Sequence, residues 1–487
     1  GNIAQPRLPG QEAVNQVIGD ALPVSLAGRL DLDMIVLDIA ALEASLDAAT
    51  LTASGPFDLA EGTASLETSL TVNDLAALQP LTEIALGGQA TLAGPVTLAN
   101  YGGVLDADLS GRWDQPTSDI GLLTVLAGKG LDVTARLSLA DGRVSLQPVT
   151  AQSPTTTLEA SLTVAGSELR DGRYSLALQD AAVLAAELGA DLAGPAELEG
   201  SLSGPFDALG LKGNAKVARL DLADQRFTDL SAGYDLRISG ADIDGPVTLA
   251  LATPFGRGEA RSDLRVRAEA VTLAALQASL PQTQVAGEIV VPLDGGEPRA
   301  DLTGDFADLG PWLAFAELDG GGKGKASVKW NQPGAAAPLL VTADLSALRL
   351  RPEPEAEVLS IARLTLNLEA QDPALTQPAT LKAGAETLRW QRLDLARADL
   401  DGRGTLEDLD LALKAKGEWI DPIELQAAAR VARQGETTRI TLRAAEGEAF
   451  GQPLSLRDTA TLTLAPAETR LEGLDLASGE TRLTAEA

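Results

Sequence analysis

The sequence predicts a mainly β protein held together by antiparallel pairing. Three observations lead there. Apolar and polar residues alternate with a period of two through segment after segment, Asp-Gly and Gly-Pro steps punctuate those segments, and helical spacing appears only in short, scattered stretches. Alternation places apolar side chains on one face and polar ones on the other, as in an antiparallel sheet wetted on one side.

In chain order, the apolar spacing of Ala13, Val14, Val17 and Ile18 over Glu12 to Ile18 predicts a short N-terminal helical segment within 1–20, followed by continuous β structure over 21–487. Asp74-Leu-Ala-Ala-Leu-Gln-Pro80 reads as one or two helical turns stopped by proline, an insert near 73–80. In Leu131-Asp-Val-Thr-Ala-Arg-Leu-Ser-Leu139 the odd positions are apolar: Leu131, Val133, Ala135, Leu137 and Leu139 share one face. Asp141-Gly142 then turns the chain into Val144-Ser-Leu146. Leu158, Leu162 and Val164 repeat the pattern, and Asp171-Gly172 is expected to turn into Tyr174-Ser-Leu-Ala-Leu178.

Further helical inserts are expected near 180–189, 272–280 and 307–316, from leucines three to four apart in Asp180 to Leu188, Leu273 to Leu280 and Asp308 to Ala316. Between and after them, Leu264-Arg-Val266, Ile440-Thr-Leu442 and Leu462-Thr-Leu464 are again alternating strands. Gly320 to Gly324, Pro333 to Pro338 and Pro352 to Pro354 read as loops and as the likeliest breaks. At about 11 residues per strand and turn, the chain holds about 35–45 strands. The chain also resembles itself. Ser54-Gly-Pro-Phe-Asp58 returns as Ser203-Gly-Pro-Phe-Asp207, and Gly94-Pro-Val-Thr-Leu-Ala99 returns as Gly245-Pro-Val-Thr-Leu-Ala250. The spacing is irregular, which favours a loose stack over a strict repeat.

Composition removes whole classes of function. The 487 residues contain no His and no Cys, so imidazole and thiol catalysis, zinc fingers and disulfides have no residues to build on. A net charge of −31 and only seven Phe, five Trp and three Tyr argue against a nucleic-acid partner. A hydrophobic fraction of 45% argues against disorder. The absence of thiols suits an oxidising compartment. The uncharged run Val271 to Gly287 contains three Gln and Pro281, too polar to span a membrane. The start Gly-Asn-Ile-Ala-Gln-Pro is expected to belong to a mature or trimmed piece.

Chemical motifs are weak. Gly320-Gly-Gly-Lys-Gly-Lys325 fails the phosphate-loop spacing and is followed by Ala326 in place of Ser or Thr. Asp399-Leu-Asp-Gly402 lacks the glutamate of a calcium loop and is expected to be a hairpin with an acidic rim. Asp31 and Asp33 stand at strand spacing on one face, but 69 acidic residues produce such pairs by chance. The five tryptophans read as packing residues, with Trp312 beside Phe315 docking a short helix. No metal, cofactor or catalytic residue is expected.

What remains is the apolar face. One way to satisfy it is a sheet curled into an aliphatic gutter that takes hydrocarbon, at about 0.8 kcal/mol per buried methylene. The other is a sandwich array or a solenoid filled by its own leucines.

The stretch from Leu192 to Gly213, with Gly194-Pro195, Leu198-Glu-Gly-Ser-Leu202 and Leu209-Gly-Leu-Lys-Gly213, resembles the phrasing of the TamB family within the AsmA-like superfamily. Ala218-Arg-Leu-Asp-Leu222, Asp229 to Leu236, Leu249 to Gly256 and Asp74 to Leu92 are similar to it in the same way. The resemblance is one of style and covers most of the chain, without a short invariant motif. It implies a long twisted antiparallel sheet curled into a U-shaped hydrophobic groove (a repeating β-groove) with a few short helices. It also implies a Gram-negative periplasmic protein anchored in the inner membrane and reaching toward an outer-membrane barrel of the TamA kind. Such a protein would be a monomer that is not an enzyme, conducts phospholipid acyl chains and helps assemble outer-membrane proteins. The rival expectations are a self-filled adhesin-like solenoid, a chaperone groove for barrel strands, and a carboxylate-based glycan hydrolase.

Overall fold

A computed structural model describes residues 2–4, 21–46, 48–82, 84–185, 191–222, 225–253, 256–315, 318–332, 337–351, 358–372, 374–435, 437–449, 451–465, 468–479 and 481–486. Strands hold 77% of the structure and helices 6%, so the class is mainly β. Two compact units divide at Pro254 and Phe255.

The first unit contains β1 (Asn2–Ala4), β2 (Ala21–Asp31), β3 (Val36–Ser45), β4 (Ala49–Asp58) and β5 (Thr63–Val72). It continues with β6 (Leu86–Ala99), β7 (Val104–Ser118), β8 (Gly130–Ala140), β9 (Arg143–Gln152) and β10 (Thr156–Ala165). Its last strands are β11 (Glu168–Leu178), β12 (Asp191–Pro205), β13 (Leu209–Leu222), β14 (Gln225–Ser239) and β15 (Asp242–Thr253). Each strand pairs antiparallel with the next in the chain. Among the described residues β1 and β15 do not pair, so this sheet is open rather than closed into a barrel.

The second unit opens with β16 (Gly256–Val266), β17 (Ala270–Leu280), β18 (Thr283–Pro292), β19 (Arg299–Phe306), β20 (Asp319–Trp330) and β21 (Leu339–Arg351). Then come β22 (Leu359–Ala370), β23 (Ala379–Trp390), β24 (Leu393–Gly404), β25 (Asp408–Trp419), β26 (Asp421–Gln434) and β27 (Thr437–Ala449). The run from β16 to β27 is again a plain antiparallel meander. Five short strands finish it: β28 (Gln452–Leu456), β29 (Ala460–Ala465), β30 (Glu468–Glu472), β31 (Leu474–Ser478) and β32 (Thr481–Ala485). β28 and β29 share one edge of β27, so together they form a single strand broken at Arg457–Thr459. β30 and β31 repeat the break at Gly473.

The structure contains 32 strands among the described residues, fewer than the sequence spacing predicts. The reason is length: from β2 to β27 they run 8 to 15 residues, well beyond the usual five or six or so. Strands this long twist and bend, and β-bulges supply the bending. Register shifts interrupt the ladders at Ser161/Thr163, Ala27/Gly28, Leu273/Leu276 and Ala428/Ala429, among others.

Bulges also explain where sequence spacing misleads. Leu273 to Leu280, expected as a helix, lies in β17. Ala275 sits at φ 50° in a bulge, which restores Leu273 and Leu276 to one face despite their separation of three. Asp171-Gly172, expected as a turn, is a bulge inside β11 with Asp171 at φ 52°; the turn falls at Gly166-Ser167. Asp399 to Gly402, expected as a hairpin, lies within β24. Gly320 to Gly324, expected as a loop, lies in β20, where missing side chains let Leu345 and Leu348 of β21 close over the backbone.

The helical pieces sit at the rims. A 3-10 turn (Leu75–Leu78) leads into α1 (Gln79–Thr82), α2 spans Gly121–Ala127, another such 3-10 turn spans Ala181–Leu184, and α3 spans Gly310–Phe315. The carboxylates of Asp74 and Asp180 start these two 3-10 turns by accepting from Ala76 N and Ala182 N. The sequence reading finds these two turns and α3, but not α2. The predicted segment over 1–20 falls outside the described residues, except that Asn2–Ala4 form β1; the same holds for 186–189, 333–336 and Pro352 to Pro354.

In the first unit the helical pieces that follow β5, β7 and β11, strands that run the same way, gather on one rim, while a short 3-10 turn at Asn100–Gly102 follows β6 on the opposite rim. On the first of these rims Leu75 covers Ala49 and Val72, and Ala181 with Leu126 covers Leu178 and Ala196. In the second unit Leu309 and Leu313 cover Leu348, Ile361 and Ala385. On its opposite rim Leu375 packs against Leu339, Ala370 and Ala379. α3 is fixed by Trp312, whose Nε1 donates to Thr283 Oγ1 at 2.8 Å and whose ring meets Phe306 edge-on at 5.8 Å. The docking of this short helix through Trp312 follows the sequence reading; the side chain of Phe315 lies outside the described residues.

Candidate functional site: the apolar face

Within each unit the register carries one apolar face from strand to strand. In the first unit Leu105, Leu139 and Val144 form one row, and Ala107, Leu137 and Leu146 the next. Leu109, Ala135 and Val149 follow, then Gly111, Val133 and Ala151. Leu131 faces Trp113, whose Nε1 donates to Gly87 O at 2.9 Å. Leu158 faces Ala151 and Leu176, Leu162 faces Leu146, and Val164 faces Val144. All eight residues expected from the sequence in this unit share this face.

The second unit repeats the arrangement. Leu264 and Val266 face Leu273 and Val271. Ile440 faces Val431 and Leu462, Leu442 faces Ala429 and Ala460, and Leu464 faces Thr438. Of the fourteen expected lining residues, thirteen are half-buried and Leu464 is 38% exposed.

This face is covered only in part. Among the described residues no large side chain is fully buried, and most of the buried hydrophobic positions are alanine. A self-filled core of this size buries large leucines and aromatics completely. Here the lining is shielded by the curvature of its own sheet and by helices at the rims, and its remaining area stays open.

The opposite face is polar and tied across strands by ion pairs. Arg136 meets Asp108 at 2.6 Å, Arg112 reaches Asp132 at 2.6 Å and Asp114 at 2.7 Å, and Arg363 meets Asp344 at 2.7 Å. Arg430 pairs with Asp408. The guanidinium partners hold the Asp344, Asp399 and Asp408 carboxyls below the ordinary carboxylate range. These pairs are exposed and screened, so their part is to fix side chains and keep the outer face wet rather than to stabilise strongly.

The residues weighed for chemistry make local contacts. Asp31 ends β2 and accepts from the backbone N–H of Asp33 and Met34, so Asp33 lies in the turn and not beside Asp31 on a strand face. Asp399 pairs with Arg397 at 2.7 Å. Among the described residues no group of three acidic side chains is placed to hold a metal ion.

Aromatic residues on the apolar face escaped the sequence reading. Tyr174 and Tyr234 meet hydroxyl to hydroxyl at 2.6 Å, although 60 residues separate them. Burial and the Tyr234 hydrogen bond push the Tyr174 hydroxyl above the ordinary phenol range. At a rim of the second unit, Trp390, Leu393 and Trp419 form one row beside a hollow of about 490 Å³. Only the register, which sequence does not supply, brings either set together. No family model matches the chain, and no curated protein is similar to it at a significant level.

Proposed function

We propose that the chain is a non-enzymatic lipid conduit: a periplasmic, bridge-like lipid transport protein that conducts phospholipid acyl chains passively between inner and outer membrane. The observation that carries this reading is the aliphatic face of each unit, in register from strand to strand and left partly open. Hydrocarbon is the guest such a lining complements, at about 0.8 kcal/mol per methylene withdrawn from water. Leu, Ala and Val offer no directional contact, which suits sliding. The charged outer face, with net charge −31, keeps long sheets soluble and discourages association. The resemblance to the TamB family supports the compartment, the monomeric state, a barrel partner of the TamA kind and a part in outer-membrane protein assembly.

Site-specific photo-crosslinking in cells tests it. A photoreactive residue at Leu137, Leu162 or Leu442 is expected to capture phospholipid, and one at Arg136 or Thr134, on the polar face, is not. Equal labelling from both faces, or none from the apolar face, would overturn the proposal.

A further inference from the structure

Four successive rows across β11 to β14 on the apolar face of the first unit include one that is polar. In register order, the rows across β11 to β14 read Leu178–Ala196–Val217–Leu230, Leu176–Leu198–Ala215–Ala232, Tyr174–Gly200–Gly213–Tyr234 and Gly172–Leu202–Leu211–Leu236. Every side chain in these rows is aliphatic or glycine except the two tyrosines. Tyr174 leans over Gly200 and Tyr234 over Gly213. A Cβ added at either glycine would lie 2.4 and 2.5 Å from the respective hydroxyl oxygen, so the rings occupy the space that side chains would fill. The hydroxyls meet over the middle of the row.

The hydrogen-bond balance of this pair is uneven. Two phenols bring two O–H donors, and their mutual bond uses one. The second donor has no acceptor among the aliphatic rows on either side, and both tyrosines are only half-buried, so it is turned toward whatever occupies the face. We propose that the Tyr174–Tyr234 pair is a hydrogen-bonding station for the ester-linked glycerol region of a diacyl lipid, whose carbonyl oxygens accept from the free phenolic O–H while its chains lie on the flanking leucine rows. This rests on the acyl-chain reading above and adds a place where the guest pauses in register. An ester carbonyl meets the requirement because it is a strong acceptor that brings no charge onto an uncharged face. An ether oxygen in the same position is a much weaker acceptor.

The test compares dioleoyl phosphatidylcholine with its diether analogue, which has the same headgroup and equivalent chains, for binding to the full chain. Wild type is expected to prefer the ester lipid by about three- to tenfold, the value of one neutral hydrogen bond. The double variant Tyr174→Phe/Tyr234→Phe keeps both rings and should bind both lipids with the weaker, ether-like affinity. The single variants Tyr174→Phe and Tyr234→Phe, each retaining one hydroxyl and checked by circular dichroism for an intact sheet, should keep the preference. Equal affinity for the two lipids in wild type, or a preference that survives the double variant, overturns the station but leaves the acyl-chain reading standing. Binding of neither lipid overturns both.

Discussion

Gly94 and Gly245 each press against the main-chain carbonyl of an aspartate, Asp108 and Asp235, on a neighbouring strand. Each sits inside a long strand at positive φ, 156° and 150°, before a proline. Asp108 is on the strand after Gly94 and Asp235 on the strand before Gly245, and an added Cβ would stand 2.0 or 2.1 Å from the carbonyl oxygen. The repeated sequence Gly-Pro-Val-Thr-Leu-Ala is therefore a repeated crimp. Glycine permits the backbone angle and the close approach, and proline gives up an N–H where the ladder is interrupted.

Gly94→Ala should cost about 1–3 kcal/mol, because alanine must leave the positive-φ region or push the Asp108 carbonyl away. Gly210→Ala is the control: it lies at ordinary backbone angles, and its nearest contact would be the Ser203 carbonyl oxygen at 3.4 Å. It should change stability by less than about 0.5 kcal/mol. Urea denaturation followed by circular dichroism measures both; equal effects would refute the crimp.

The attachment of α3 through Trp312 and Thr283 yields a second expectation. Thr283 is 2% exposed and its hydroxyl accepts the indole N–H. Trp312→Phe should cost about 1–3 kcal/mol by leaving that buried group without its donor. Introducing Thr283→Val into the Trp312→Phe background should recover part of the loss. A double-mutant cycle reads the coupling directly, and a coupling near zero would show that the helix is held by Leu309 and Leu313 alone.

The pH dependence is expected to differ at the two ends of the range. Tyr174 has a folded pKa above its unfolded value of about 10, so its neutral form is favoured by folding. That contribution is complete below about pH 10 and is lost as pH rises toward the folded value. The aspartates at 344, 399, 408 and 475 have folded values below the unfolded one of about 3.9, so their contribution is present above that pH and is lost as pH falls through the folded values. Tyr174→Phe should flatten the alkaline limb of a stability profile and leave the acid limb intact; Asp408→Asn should make the acid limb slightly shallower, the other three aspartates remaining, and leave the alkaline limb intact. The profile is measured by urea midpoints across pH, and a limb unchanged by its variant would disprove the assignment.

How far the fold was legible depends on what each signal encodes. The apolar face was legible because alternation is local: Leu131 to Leu139 declare it without reference to any other strand. Asp-Gly was not a reliable turn. At 141 it is one, with Asp141 at φ 51° and Gly142 at φ 70°. At 171 it is a bulge, and at 401 it lies in the middle of β24, where Gly402 packs against Leu381 and Leu411. The local dihedral preference is the same in all three; the partner strand decides whether the chain reverses. Leu273, Leu276 and Leu280 imitate helical spacing because one bulge residue changes the parity of a strand, a step invisible without its ladder. The tyrosine row was illegible for a stronger reason: it needs three successive registers, each correct to the residue, before Tyr174 and Tyr234 become neighbours.

From β2 to β15, and again from β16 to β27, each pairing within the unit joins strands adjacent along the polypeptide. Loop closures are therefore short wherever a hairpin forms, and growth of the sheet can proceed like a zipper from any nucleus. Because two strands return the chain to the rim it left, duplication or loss of a whole hairpin shifts the length of a unit by two strand spacings, about 9.6 Å, without altering the facing of any residue elsewhere. A unit built this way can gain or lose whole hairpins while every remaining apolar row keeps its face.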